Sequence, residues 1–185
     1  MSGKRPHTRK GDSLADLVRR YLAASGAGPR LDDYLDSFRT CSTAEAIERA
    51  GFDGENVHPH QRRLGRKILA QAARALRRKI DAVRACGHFE ELHGLVTSCT
   101  QRIDRFGALA RYDVALRIGA HLGVWPELIY QHAGTKVGCK KLGVRCEGKT
   151  VEPAELPAPI RRLKPHHAEN FLCIYKSGFP YGKGC

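Results

Sequence analysis

The sequence predicts an all-α protein, a compact helical domain with one long basic amphipathic helix and a helix-hairpin-helix-like segment. Three observations lead there. Apolar residues recur at three- and four-residue intervals along most of the chain. No stretch alternates apolar with polar as a half-buried strand would. Glycines, prolines and capping residues break the pattern at helix-length intervals. With 185 residues, 42% of them hydrophobic, the chain is long enough to bury a core without disulfide staples.

Residues 1–12 are polar and basic and are read as a flexible arm. Residues 13–55 form the N-terminal helices. Leu14, Leu17, Val18, Tyr21 and Leu22 share one face of a helix over 13–25, capped by Asp12 or Ser13 and stopped by Gly26. Leu31, Tyr34, Leu35 and Phe38 repeat at helical spacing over 31–39. Ser42 and Glu45 have the spacing of a capping box, in which hydroxyl and carboxylate satisfy each other's free amides, so a short helix to Ala50 follows. Residues 51–59 read as a loop.

The main helical domain is placed at 56–176, with a flexible tail at 177–185. A long helix is predicted from His60 to Cys86, ended by Gly87. Leu64, Ile68, Leu69, Ala72, Leu76, Ile80 and Val83 fall on one side of it. Arg62, Arg63, Arg66, Lys67, Arg74, Arg77, Arg78 and Arg84 fall on the other, a stripe about 40 Å long at about 1.5 Å per residue. Lys79 lies off the stripe. A helix over 89–100 comes next, then two helices within 103–122 that meet near Phe106 and Gly107. Pro126 opens a further helix to His132. Residues 134–150 read as short helix plus loops, 151–159 as a Pro-rich strap, and 165–176 as a terminal helix on Phe171, Leu172 and Tyr175.

The charge is +13, with a pI near 9.7, and is unevenly spread. Residues 31–55 carry seven acidic and two basic side chains, whereas 56–86 carry nine basic and one acidic, Asp81. A polyanion is the expected partner. No apolar run reaches the roughly 18–20 residues of a membrane span. The N-terminus has no apolar segment of a secretory signal, which places the chain in the cytoplasm with reduced thiols and no membrane partner. The seven cysteines are odd in number and scattered, unlike a disulfide framework.

Nine like charges on one helix repel one another, so the stripe points to phosphate contacts, which neutralise successive backbone charges and release counterions. The acidic side chains Asp32, Asp33, Asp36, Glu45 and Glu48 are a competing intramolecular cover. Arg105 and Gly107 add a hairpin at which backbone N–H groups and a helix N-terminus can approach a phosphate. Lys136, Lys140 and Lys141, with Arg145 and Lys149, form a second basic patch, suited to complete a groove if coplanar with the stripe. Tyr130, His132, Gly134 and Thr135 can line a small-anion pocket, or can form a helix C-cap with Gly134 left-handed. Cys86, His88, His93 and Cys99 lie close in sequence but lack the tight cysteine pairs of a zinc site. Neither metal nor cofactor is predicted.

Tyr112-Asp-Val-Ala-Leu-Arg-Ile-Gly-Ala-His-Leu-Gly123, Pro126, Ile129-Tyr-Gln-His-Ala-Gly-Thr135 and Gly138 together resemble a family of uncharacterised bacterial proteins with a helix-hairpin-helix-like segment. His58-Pro-His-Gln-Arg-Arg63 and Phe171-Leu-Cys-Ile-Tyr-Lys176 extend the likeness over most of residues 40–176. The family's hairpin has two glycines around an isoleucine; Arg105, Phe106 and Gly107 stand in those places. A more distant likeness to helix-hairpin-helix DNA glycosylases rests on Asp113, Arg117 and Leu122-Gly123, and implies a catalytic carboxylate at Asp113. Against it, Asp113 is also placed to cap a helix or to pair with Arg117 one turn on.

The expected function is nucleic-acid binding through phosphate contacts. The low aromatic content disfavours a base-stacking platform, so duplex DNA is expected ahead of RNA. Two alternatives are an enzyme acting on nucleic acid or nucleotide through Asp113, and a protein-interaction module whose basic face meets an acidic partner.

Overall fold

The computed structural model describes residues 12–23, 27–53, 56–58 and 61–179. Residues 1–11 of the expected arm, Gly26 as first-helix stop, His60 as start of the long helix and residues 180–185 of the expected tail lie outside that set. The regular structure is helical apart from two short antiparallel strand pairs, so the all-α expectation is borne out. The chain forms two compact units, one from Met1–Asp32 with Glu127–Cys185, the other Asp33–Pro126. The division therefore does not fall between residues 55 and 56. Packing accounts for this: the first helix lies on C-terminal helices, whereas residues 43–49 lie on helices from the middle of the chain.

In the Asp33–Pro126 unit, the end of α2 (Ala27–Asp36) leads to α3 (Thr43–Arg49). The Ser42–Glu45 capping box is formed as expected: the Ser42 amide donates to the Glu45 carboxylate at 2.7 Å, and the Glu45 amide to the Ser42 hydroxyl at 3.3 Å. Strands β1 (Phe52–Asp53) and β2 (Asn56–Val57) pair with Phe52 opposite Val57.

The single long helix is corrected to α4 (Gly65–Arg77) and α5 (Ile80–Ala85). Gly65 has φ +73°, a left-handed conformation that keeps the preceding residues out of the helix. At the second break Lys79 leaves the helical region, with φ −119° and ψ 25°. Neither Gly nor Pro marks that break, and the apolar spacing of Leu76, Ile80 and Val83 runs straight through it. Packing explains it: α5 lies on α3 and on α6 (Phe89–Thr100) as well as on α4, and Val83 becomes fully buried.

Helix α6 packs along α7 (Ala108–Leu122), which also receives α3. Residues 101–107 are a non-helical connection rather than the start of a second helix at Ile103. Phe106 anchors this connection in the core at 1% exposure. Every residue from Tyr112 to Ala120 is buried. Gly119 allows this, since a Cβ there would stand 2.6 Å from the Val124 carbonyl oxygen.

In the other unit, α1 (Leu14–Leu22) starts at a Ser13–Asp16 capping box and buries Leu17, Val18 and Tyr21. It packs on α9 (Ala158–Arg161) and α10 (Pro165–Tyr175). The helix expected over 126–132 is instead extended. Strand β3 (Ile129–Tyr130) pairs with β4 (Thr150–Val151), Ile129 opposite Val151, and Gln131 N–H continues the ladder to the Lys149 carbonyl at 2.8 Å. A β-branched residue and an aromatic suit this pairing better than a helix. Helix α8 (Ala133–Lys141) follows, and a 3₁₀ turn (Pro153–Glu155) lies in the expected strap. The tail expected from 177 is held at Phe179, 4% exposed and 5.5 Å from the Phe171 ring centroid to centroid.

Helices α8 and α10 approach closely at Gly138, where a Cβ would stand 2.6 Å from the backbone carbonyl oxygen of Leu172. Backbone cannot swing aside as a side chain can, so Gly138→Ala is expected to cost about 1–3 kcal/mol through overpacking. Chemical denaturation should show a lower midpoint at unchanged slope, while Gly94→Ala, with no atom within 4 Å of the added carbon, should not destabilise the protein.

Candidate nucleic-acid interface and buried polar clusters

Helix α4 turns Leu69, Ala72, Ala73 and Leu76 inward. The basic residues of the same stretch, Arg62, Arg63, Arg66, Lys67, Arg74, Arg77, Arg78, Lys79 and Arg84, are all exposed. Lys67, Arg74 and Arg78 lie seven and four residues apart, which stacks them on one face. Arg77 pairs with Glu48 at 3.1 Å and Arg84 with Asp81 at 3.1 Å. The Arg66 guanidinium stands 5.2 Å from the Phe52 ring centre. Among the described residues, Arg62, Arg63, Lys67, Arg74, Arg78 and Lys79 have no acidic partner within 4 Å.

From the acidic segment, Glu48 reaches this face at Arg77. Three other carboxylates of the segment are engaged elsewhere: Asp36 with Arg39 at 3.5 Å, Glu45 in its cap, and Asp32 with histidines of α10. The stripe is about 20 Å of helix rather than 40 Å, given the thirteen residues of α4.

In the connection where the hairpin was expected, the left-handed residue is Arg105, with φ +64°, and its guanidinium donates to the Arg63 carbonyl. Gly107 has an ordinary φ of −83° and serves as N-cap of α7 without a side-chain bond. Arg105 thus ties the 101–107 connection to the turn before α4 at Arg63. Lys136 and Lys140 are exposed on α8 and Lys141 is half-buried, with Arg145 and Lys149 exposed beyond. This second patch belongs to the other unit.

Asp113 is buried on α7, and its Oδ2 lies 3.6 Å from Arg117 Nη2, one turn on. Arg117 in turn donates from Nη1 to the Ala50 carbonyl at 2.9 Å. With the Gln61 amide oriented to suit both neighbours, its oxygen accepts from Arg117 Nη1 at 2.9 Å and its nitrogen donates to the Gly51 carbonyl at 3.3 Å. The Tyr34 ring lies 5.9 Å from the guanidinium, and the Tyr34 hydroxyl bonds His58 Nε2 at 3.0 Å. Asp113 is thus a counter-charge for a buried arginine that joins α7 to the end of α3, the arrangement a structural carboxylate needs.

The anion-pocket residues close on themselves. His132 is the N-cap of α8, not part of a C-cap: its Nδ1 accepts from Gly134 N–H at 3.1 Å, and its own N–H donates to the Thr135 hydroxyl at 2.8 Å. His132 Nε2 is hydrogen-bonded to the Glu169 carboxylate of α10. Gly134 is small because a Cβ would meet Cys173 Sγ at 2.6 Å. Capping and helix packing thus use the groups expected to receive an anion.

Next to this lies a cluster that no sequence motif signals. His167 of α10 bonds the Tyr21 hydroxyl through Nδ1 at 2.8 Å and Asp32 Oδ1 through Nε2 at 2.9 Å. His166 Nε2 is 3.5 Å from the same Asp32 oxygen. Asn170 donates to the Tyr21 hydroxyl at 3.1 Å. Burial, and then the neighbouring His167, pull His166 down to about 4, so its ring is neutral at pH 7. Burial likewise pushes the Tyr21 phenol up, keeping it protonated. The adjacent histidines at the head of a helix were the available signal, but Asp32 is far away in sequence.

The Cys86, His88, His93 and Cys99 set does not converge. Cys86 donates to the Ala82 carbonyl at 3.3 Å, and His93 stacks on Phe89. The described cysteines are free thiols, and burial pushes Cys139 up to about 12, an inert core position. Among the described residues no helix is long and apolar enough to cross a membrane.

Asp113→Ala leaves Arg117 buried beside only neutral partners, and is expected to lower unfolding stability by about 3 kcal/mol. Replacing both by apolar residues, Asp113→Leu with Arg117→Met, should cost less than Asp113→Ala alone; denaturation of the three proteins measures the difference. No protein-family model, curated protein or solved structure matches this chain.

Proposed function

We propose that this chain binds nucleic acid, duplex DNA ahead of RNA, through phosphate contacts on the cationic face of residues 62–84, with Arg105 at its edge. The observation that carries the reading is the exposure of all nine basic side chains of that stretch, with acidic partners on Arg77 and Arg84. A solvated helix face ordinarily mixes signs for mutual support. Here the cost of like-charge repulsion is left for an external polyanion to offset. Lys136, Lys140 and Lys141 are the second basic contact of the same proposal, and the hairpin at 101–107 is its positioning element. Kinship with the helix-hairpin-helix-like bacterial family, on the residues matched above, belongs to the proposal too. The glycosylase-like role of Asp113 is not part of it, because its carboxylate serves Arg117.

Fluorescence anisotropy with labelled duplex DNA, single-stranded DNA and structured RNA tests the reading. Binding should fall with salt on a log–log slope of about −4 to −5, for about five neutralised phosphates. Arg74→Glu with Arg78→Glu should weaken it at least about tenfold, since two contacts become repulsions. Asp113→Ala, assayed where it remains folded, should bind as the parent does. Absence of binding to all three at low salt would sink the proposal, and so would indifference to the double charge reversal.

A further inference from the structure

We propose that His166, His167 and Asp32 form a binding site for one divalent transition-metal ion of the zinc class. The geometry of the donor atoms comes first. Each residue offers one ligand atom, and the three atoms lie within 4.8 Å of one another. Both imidazole Nε2 atoms converge on a single carboxylate oxygen, at 2.9 Å from His167 and 3.5 Å from His166. Ligands held about 2.0–2.2 Å from a tetrahedral zinc stand about 3.4 Å apart, so the three atoms need only small side-chain shifts to share an ion.

The chemistry of the set selects the class of metal. Two imidazoles and one carboxylate suit zinc, cobalt, nickel or iron, whereas magnesium and calcium prefer oxygen alone. Three protein ligands leave a fourth position for water. Both histidine side chains are almost wholly buried, at 3% and 6% exposure, while Asp32 is 43% exposed. The carboxylate is therefore the wall that faces solvent, and it marks the route of entry.

The surroundings already hold His167. A histidine that binds metal through Nε2 must carry its ring proton on Nδ1, and needs an acceptor there. Tyr21 supplies one, its hydroxyl oxygen lying 2.8 Å from His167 Nδ1, and Asn170 donates to that same oxygen at 3.1 Å. Before metal binds, the pattern runs the other way, with Tyr21 donating to Nδ1 and His167 Nε2–H donating to Asp32. Binding thus moves the ring proton of His167 from Nε2 to Nδ1, and the Tyr21 hydroxyl hydrogen, given to Nδ1 in the metal-free protein, must turn to another acceptor. Helix α10 presents the two imidazoles and α2 the carboxylate, so an ion would fasten one helix to the other.

The test is titration of the full-length chain, stripped with chelator and kept reduced, with cobalt(II) as a spectroscopic probe and then with zinc. About one equivalent of cobalt should bind, giving ligand-field bands of a nitrogen- and oxygen-ligated ion without a thiolate charge-transfer band. Zinc should displace it and should raise the melting temperature. Asp32→Asn, at a half-exposed position and of equal size, should preserve the circular dichroism spectrum yet weaken cobalt binding at least about 100-fold. His167→Gln should do the same. Failure of the parent chain to take up cobalt, uptake unchanged in Asp32→Asn, or a spectrum made only of thiolate bands would each overturn the site.

Discussion

A helix that is buried on every side has no wet face on which to leave a polar residue. Among the described residues the middle of α7 meets that condition, and α10 comes near it, with Asn170, Cys173 and Ile174 half-buried. Helix α7 is buried without interruption from Tyr112 to Ala120, and α10 buries His166 through Glu169 together with Phe171, Leu172 and Tyr175. Each carries charged or titratable side chains, and a buried polar group costs heavily unless another element supplies its partner. Asp113 and Arg117 answer each other on α7, and Ala50 and Gln61 complete the arginine. On α10 His167 takes Tyr21 and Asp32, and Glu169 takes His132. The polar clusters of this protein are consequences of that constraint, and so are the close approaches at Gly119 and Gly138 that make such burial possible.

The same constraint distributes charge. Carboxylates of the acidic segment are drawn to specific tasks near them, a helix cap at Glu45, a local pair at Asp36, histidines at Asp32. Few remain to neutralise α4, whose apolar side alone is buried. The basic residues are left at the surface with little acidic company, although an acidic segment precedes them closely in the sequence. Net charge by segment therefore misjudges which charges meet; side-chain geometry decides it.

What was legible in the sequence follows from range. The capping box at Ser42–Glu45 and the amphipathic pattern of α4 are local and were read correctly. So was the i, i+4 relation of Asp113 and Arg117, which stood beside the glycosylase likeness as an alternative and matches the ion pair found. The break at Lys79 was not legible, because the apolar spacing crosses it unchanged and the cause is packing on α3 and α6. Nor were β3 and β4, since two residues each leave no alternation to detect. His132 reads equally well at either end of a helix, and only the pairing of Ile129 with Val151 decides that the helix follows it. Asp32 and His167 are too distant in the chain, and their types too common, for any spacing rule to join them.

The shortened stripe also bears on how a nucleic acid would be held. Lys67, Arg74 and Arg78 stand about 10 Å and 6 Å apart along the helix axis, at about 1.5 Å per residue. An array of that length neutralises only a few phosphates, and point charges on a helix face read no base edges. Under the proposed function, affinity from α4 alone would then be modest and independent of sequence. The patch at Lys136, Lys140 and Lys141 lies in the other unit of the same chain, so the two patches are covalently linked. Linked weak contacts bind more tightly than either alone once both engage one polyanion, without any new contact being made. Under the proposed function, tight binding would engage both patches on one strand or duplex, and loss of either would return the affinity to that of a single short array.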